Sequence, residues 1–88
     1  MQNGYNENID VGGVTYHIQT EDVTDRAEVV SQVFVGGVVL HTYRVSYADW
    51  KSEENWRSKV ASQAKKQHTL MMAAASRGRF ATPGGENP

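Results

Sequence analysis

The chain has 88 residues, 39% of them apolar, with 9 Lys and Arg against 10 Asp and Glu, three His and no Cys. That length supplies a single modest core and excludes catalysis across a domain interface, and the absence of cysteine excludes disulfides, thiolate metal ligands and thiol nucleophiles. The net charge of −1 conceals an asymmetry: residues 1–50 carry two arginines against seven carboxylates, a balance of −5, whereas residues 51–88 carry seven cations against three, a balance of +4. Halves of opposite charge can dock on each other, orient an oligomer or steer a charged partner.

The first eight residues show no basic segment followed by an apolar stretch, and the longest apolar run, residues 33–40, is broken by Gly36 and Gly37 and too short to span a bilayer. The expectation is a cytoplasmic protein without membrane contact. Next comes an internal echo. Val11-Gly12-Gly13-Val14 followed by His17 returns 24 residues later as Val35-Gly36-Gly37-Val38 followed by His41. Gly-Gly between β-rich flanks marks a hairpin, because the favoured two-residue turns need positive φ, which glycine adopts without steric cost. Two tandem β-hairpins are therefore predicted.

In the first hairpin a two-residue turn pairs Val11 with Val14, Ile9 with Tyr16 and Glu7 with Ile18 on one face. The other face, with Asp10 opposite Thr15, Asn8 opposite His17 and Asn6 opposite Gln19, is polar and suited to water. The same turn logic in the second hairpin places Val29, Val33, Val35, Val38 and Leu40 on one face. Val30, Phe34, Val39, Tyr43 and Val45 fall on the other. Both faces read as apolar, a single helix covers one, and the second face needs another cover. The C-terminal tail or the connecting loop could supply it, or a second protein chain, either another copy of this one, most simply as a homodimer, or a different protein.

Residues 22–26 form an acidic, exposed turn between the hairpins. Ser46-Tyr47-Ala48-Asp49 has capping-box spacing, with Ser52 as a second cap, so a helix is predicted to begin between Tyr47 and Glu53. Trp56, Val60, Ala64, Met71, Ala74 and Ala75 share one helical arc, with Leu70 just beside it and Trp56 as the expected anchor on the sheet. Gly78 should cap the helix, and residues 81–88 have the composition of a disordered tail. The predicted fold is α+β: a single domain over residues 1–80, with a four-stranded antiparallel sheet of two Gly-Gly hairpins packed against one long C-terminal helix.

No motif specifies catalysis, and neither a cofactor nor a metal is expected. The glycine pairs lack phosphate-loop spacing and lead into strands, and Ser, His and acidic residues find little shelter for a triad in so small a scaffold. His17 and His41 occupy equivalent hairpin positions, beside Asn8 and Gln32 respectively, which suits hydrogen bonding more than ligation. Gln67 lies inside the apolar arc with His68 at its edge. A buried amide needs partners, either a strand backbone or a binding protein. Arg57, Lys59, Lys65 and Lys66, extended by Arg77 and Arg79, could meet nucleic-acid phosphates, although the overall charge and the lack of an aromatic ladder disfavour it.

The segments Tyr16-His17-Ile18-Gln19-Thr20-Glu21-Asp22, Val33-Phe34-Val35-Gly36-Gly37, Ser46-Tyr47-Ala48-Asp49, Gln67-His68-Thr69-Leu70-Met71 and Arg77-Gly78-Arg79-Phe80 follow one another in this order. Together they resemble a small bacterial domain family to which no activity is assigned. The resemblance spans most of the chain and implies a short stand-alone protein or a module beside other domains, doing adaptor work. The expected function is thus a non-enzymatic protein-interaction module acting as a homodimer. Its candidate contact residues are Val30, Phe34, Val39, Tyr43, Val45, Gln67 and His68. The alternative is a nucleic-acid-associated regulator using Arg57, Lys59, Lys65 and Lys66.

Overall fold

Gly12 and Gly13 take φ of 56° and 82°, and Gly36 and Gly37 take 56° and 80°. Positive φ at both central positions gives the hairpin turn whose twist matches its strands. The computed structural model describes residues 4–80, so the expected tail at 81–88 lies outside the described residues. Strands β1 (Gly4–Val11) and β2 (Val14–Val23) flank the first turn, and β3 (Glu28–Val35) and β4 (Val38–Ser46) flank the second. They form one antiparallel sheet in the order β1-β2-β3-β4, and helix α1 (Trp56–Ser76) packs on one face. This is the α+β arrangement read from the sequence. The first hairpin keeps its predicted register throughout, from Val11 opposite Val14 to Asn6 opposite Gln19.

The second hairpin departs from its prediction. Phe34 faces Val39, but Val33 faces His41, so Leu40 is an extra residue without a partner. A bulge of one residue moves every later side chain of that strand to the opposite face. Tyr43 therefore lies opposite Ser31 and Val45 opposite Val29, on the side of the helix, and not with Val30, Phe34 and Val39. The uncovered face instead receives Thr42 and Arg44, with Gln32 donating a hydrogen bond to Thr42 Oγ1 at 3.4 Å. His41 moves as well. Val33, not Gln32, is its neighbour, and its ring lies 5.3 Å from that of Phe80.

The helix also begins later than predicted. Tyr47 is 1% exposed; its N–H donates to the Ala27 carbonyl at 2.8 Å and its hydroxyl to Asp22 Oδ1 at 2.5 Å. Pinned in this way, residue 47 cannot enter a helix. Ser46 Oγ accepts only the Ala48 N–H, at 3.4 Å, in place of a capping box. A 3-10 turn at Ala48–Ser52 then carries the chain from the sheet to the helix layer. The far end follows expectation. Gly78, at φ 67°, donates to the Ala75 carbonyl and Arg79 to that of Ala74, a Schellman cap.

The interface between sheet and helix is divided. One apolar cluster gathers Tyr16, Ile18 and Val33 under Met71 and Ala75; the other gathers Ala27, Val29 and Tyr47 under Val60 and Ala64. Thr20, Ser31, Gln67 and His68, all buried, lie between the two along both sheet and helix. Trp56 is only partly buried: it packs on the edge of the second cluster, with its ring stacked 5.9 Å from that of Tyr47, and so reaches the sheet through Tyr47.

Candidate functional site

Two places carry chemistry-bearing side chains in an organised geometry. The first is the buried polar layer. Gln67, 0% exposed, donates from Nε2 to the carbonyls of Val29 at 3.0 Å and Tyr43 at 3.1 Å, and its Oε1 accepts from Gln63 at 2.9 Å. It ties the helix to two strands at once. His68, 4% exposed, places Nε2 2.7 Å from Glu7 Oε1 and Nδ1 2.8 Å from Thr20 Oγ1, and Thr20 Oγ1 is 2.6 Å from Ser31 Oγ. An ionised carboxylate can only accept, so Nε2 donates to Glu7. In the neutral ring Nδ1 then accepts from Thr20, whose oxygen accepts from Ser31. Tyr5 stacks on the imidazole at 5.1 Å.

Hydroxyl, imidazole and carboxylate in series are the parts of a nucleophilic relay. Access decides against that use. Thr20 and Ser31 are at most 1% exposed, which leaves no approach for a substrate carbonyl. Burial likewise removes Gln67 and His68 from the surface where they were expected to meet a partner. What the layer does is satisfy every polar group at the joint between helix and sheet.

The remaining expected contact residues are dispersed by the bulge. Val30 is 8% exposed on the open face, flanked by its register partners Glu21 and Arg44. Arg44 and Arg26 each approach Glu28 Oε1 at 3.5 Å, an ionic contact beside that valine. Phe34 and Val39 stay together near the second turn, whereas Tyr43 and Val45 face the helix. His17 bonds Asn8 at 2.8 Å on the open face, as expected, and is on the opposite side of the sheet from His41. Among the described residues no three His, Asp or Glu side chains gather to hold a metal ion. No described helix is long and apolar enough to cross a membrane.

The second place is a groove of about 470 Å³ between the start of β1 and the first turns of α1. Val60 and Ala64 form its base, Tyr5, Tyr47 and Trp56 its aromatic walls, and Lys51, Arg57 and Ala61 stand at its exposed rim. Lys51 Nζ lies 5.6 Å from the Trp56 ring centre and 5.8 Å from that of Tyr47, and Arg57 Cζ lies 4.4 Å above Trp56. These cation–π contacts hold both charges at the mouth. Burial, and then the hydrogen bond and charge of Asp22, push the Tyr47 phenol up to about 12, so it remains a donor to that carboxylate.

Of the basic side chains read as a nucleic-acid face, Arg57 belongs to this groove. Lys59 is paired with Glu53 at 3.1 Å and lies 4.6 Å from the Trp50 ring centre, while Lys65 and Lys66 are exposed farther along the helix. The groove was hidden in the sequence because its walls come from residues 5, 47 and 56, which only the crossing of β1 by the helix brings together. Lys51 and Arg57 beside Trp56 were its one local signal. Compared with protein-family models, with curated proteins and with solved structures, the chain matches none.

Proposed function

We propose that the chain is a non-enzymatic protein-interaction module that engages its partner through the groove between β1 and α1. The observation that carries this reading is the contrast between the two polar or aromatic constellations. The hydroxyls and the imidazole capable of chemistry are buried and mutually bonded, while the aromatic walls of the groove are concave and open, with two cations at the rim. Concave apolar sites with a few placed polar groups are the usual form of a binding site. The nucleic-acid reading has less support, since Lys59 already has a carboxylate partner. Photo-crosslinking provides the test. A photoreactive residue in place of Ala61, at the rim, is expected to capture a partner in the native host, and the same residue in place of Lys66 is not. Equal capture from the two positions, or capture from Lys66 alone, would show that the groove is not the contact.

A further inference from the structure

The groove is built for a particular kind of partner. Its volume of about 470 Å³ lies in the lower part of the range for ligand sites, enough for one large side chain with its backbone. Tyr5, Tyr47 and Trp56 offer that side chain aromatic faces and edges, which favour another ring or a large aliphatic group. Charge supplies the second element. Arg26, Arg44 and Lys59 each lie within 4 Å of a carboxylate; among the described residues Lys51 and Arg57, like Lys65, Lys66, Arg77 and Arg79, have none in reach, and of these six only Lys51 and Arg57 line the groove. Their ammonium and guanidinium donors are held on ring faces, at the mouth, with hydrogen-bonding capacity unmet by the described residues. Among the described residues the one acidic side chain lining the groove, Asp22, accepts the Tyr47 hydroxyl.

Backbone supplies the third element. β1 is an edge strand, paired on one side only, and its first residues, Gly4 and Tyr5, line the groove. An extended segment lying across the mouth can therefore add main-chain hydrogen bonds to β1 while one side chain enters between the rings. A free aromatic acid would satisfy the rings and the cations but would leave the strand edge unused.

We infer that the groove takes an acidic peptide segment, extended along the edge of β1, which inserts one aromatic or large aliphatic side chain and sets a neighbouring carboxylate against Lys51 and Arg57. This rests on the reading of the groove as the interaction site. The partner is thus a protein with an exposed acidic and aromatic stretch, and electrostatic steering by the rim makes the association depend on salt.

The test uses the full chain and three synthetic probes: a capped pentapeptide with a central Phe flanked by Asp and Glu, its counterpart flanked by Lys, and phenylacetate. Amide resonances and tryptophan fluorescence report binding, since none of the probes contains Trp. The acidic peptide is expected to shift the amides of Lys51, Arg57 and Ala61 and those of Gly4 to Asn6. Charge reversal by Lys51→Glu or Arg57→Glu should weaken it by about tenfold each, and Ala61→Trp, which fills the mouth, should abolish binding. All three positions are exposed, and unchanged core resonances certify the fold of each variant. Equal binding of the Lys-flanked peptide would overturn the charge selectivity, and equal binding of phenylacetate would overturn the peptide. Binding that survives Ala61→Trp would overturn the groove itself, whereas silence toward all three probes while Ala61 still crosslinks a partner would overturn only the ligand class.

Discussion

Tyr47 joins several parts of the structure through one side chain. Its ring belongs to the second core cluster, stacks on Trp56 and walls the groove, and its hydroxyl reaches Asp22 at the end of β2. Burial first, and Asp22 second, raise its pKa from 10.0 to about 12. The sign of the linkage follows: the folded state holds the phenolic proton more tightly than the unfolded state does. Its contribution is complete below pH 10 and is lost as pH rises toward 12, and it amounts to at most about 3 kcal/mol. Urea denaturation from pH 8 to 12 should show the wild type losing stability across that window. Tyr47→Phe is expected to start about 1 to 2 kcal/mol less stable, for want of the hydrogen bond to Asp22, and to lose less on the way to pH 12. Parallel declines in the two proteins would mean that Tyr47 does not couple to folding as its environment implies. Nothing in the sequence marks Tyr47 out from the other three tyrosines, since its environment is assembled by Ala27, Asp22 and Trp56, each distant along the chain.

At the scale of elements, the Leu40 bulge decides what the sheet presents to water. Side-chain direction in β3 alternates regularly, with Val29, Ser31, Val33 and Val35 toward the helix. In β4 the stretch Thr42, Tyr43, Arg44, Val45 alternates just as cleanly, but one residue out of phase with a two-residue turn. The continuous apolar run Val38, Val39, Leu40 conceals that phase change, which is why an unbroken register produced two apolar faces from a hairpin that has one. The turns, the first hairpin, the helical arc and the Gly78 cap were legible because each depends on residues within a few positions of each other. The phase of β4 and the groove were not, because they depend on residues that meet only after folding. The structure makes a direct claim about Leu40. Deleting it removes the extra residue while leaving Gln32 opposite Thr42 and Ser31 opposite Tyr43, so the shortened chain should fold with those cross-strand contacts intact. It should lose about 1 kcal/mol for the half-buried leucine. Nuclear Overhauser contacts between Val30 and Tyr43 in the wild type would instead place Tyr43 on the open face and refute the bulge.

For the molecule as a whole, the charge asymmetry and the open sheet face bear on how it meets other chains. Glu7 with His68 is the one pairing among the described residues that joins the acidic first half to the basic second half; the others stay within a half. The opposite charges are therefore not consumed in docking one half on the other, and those of Lys51 and Arg57 stand at the mouth of the groove. The open face was expected to drive dimerisation because it read as apolar. With Tyr43 and Val45 turned to the helix and Val30 covered, its accessible apolar side chains are Val23 and Phe34, both partly buried, and Val39, 45% exposed, among Asn8, His17, Gln32, Thr42 and Arg44. Three such side chains, with Val23 at the far end of the sheet from Phe34 and Val39, fall well short of the roughly 800 Å² per partner that a stable interface buries, and desolvating their polar neighbours would oppose association. Sedimentation equilibrium at about 100 μM is expected to give the mass of a monomer, and Phe34→Asp should leave both that mass and the solubility unchanged. A dimer that Phe34→Asp dissociates would restore the sheet face as an interface. A dimer that resists Phe34→Asp but yields to Ala61→Trp would mean that the groove binds a second copy of this chain, and the acidic partner would then have to be sought within its own first half.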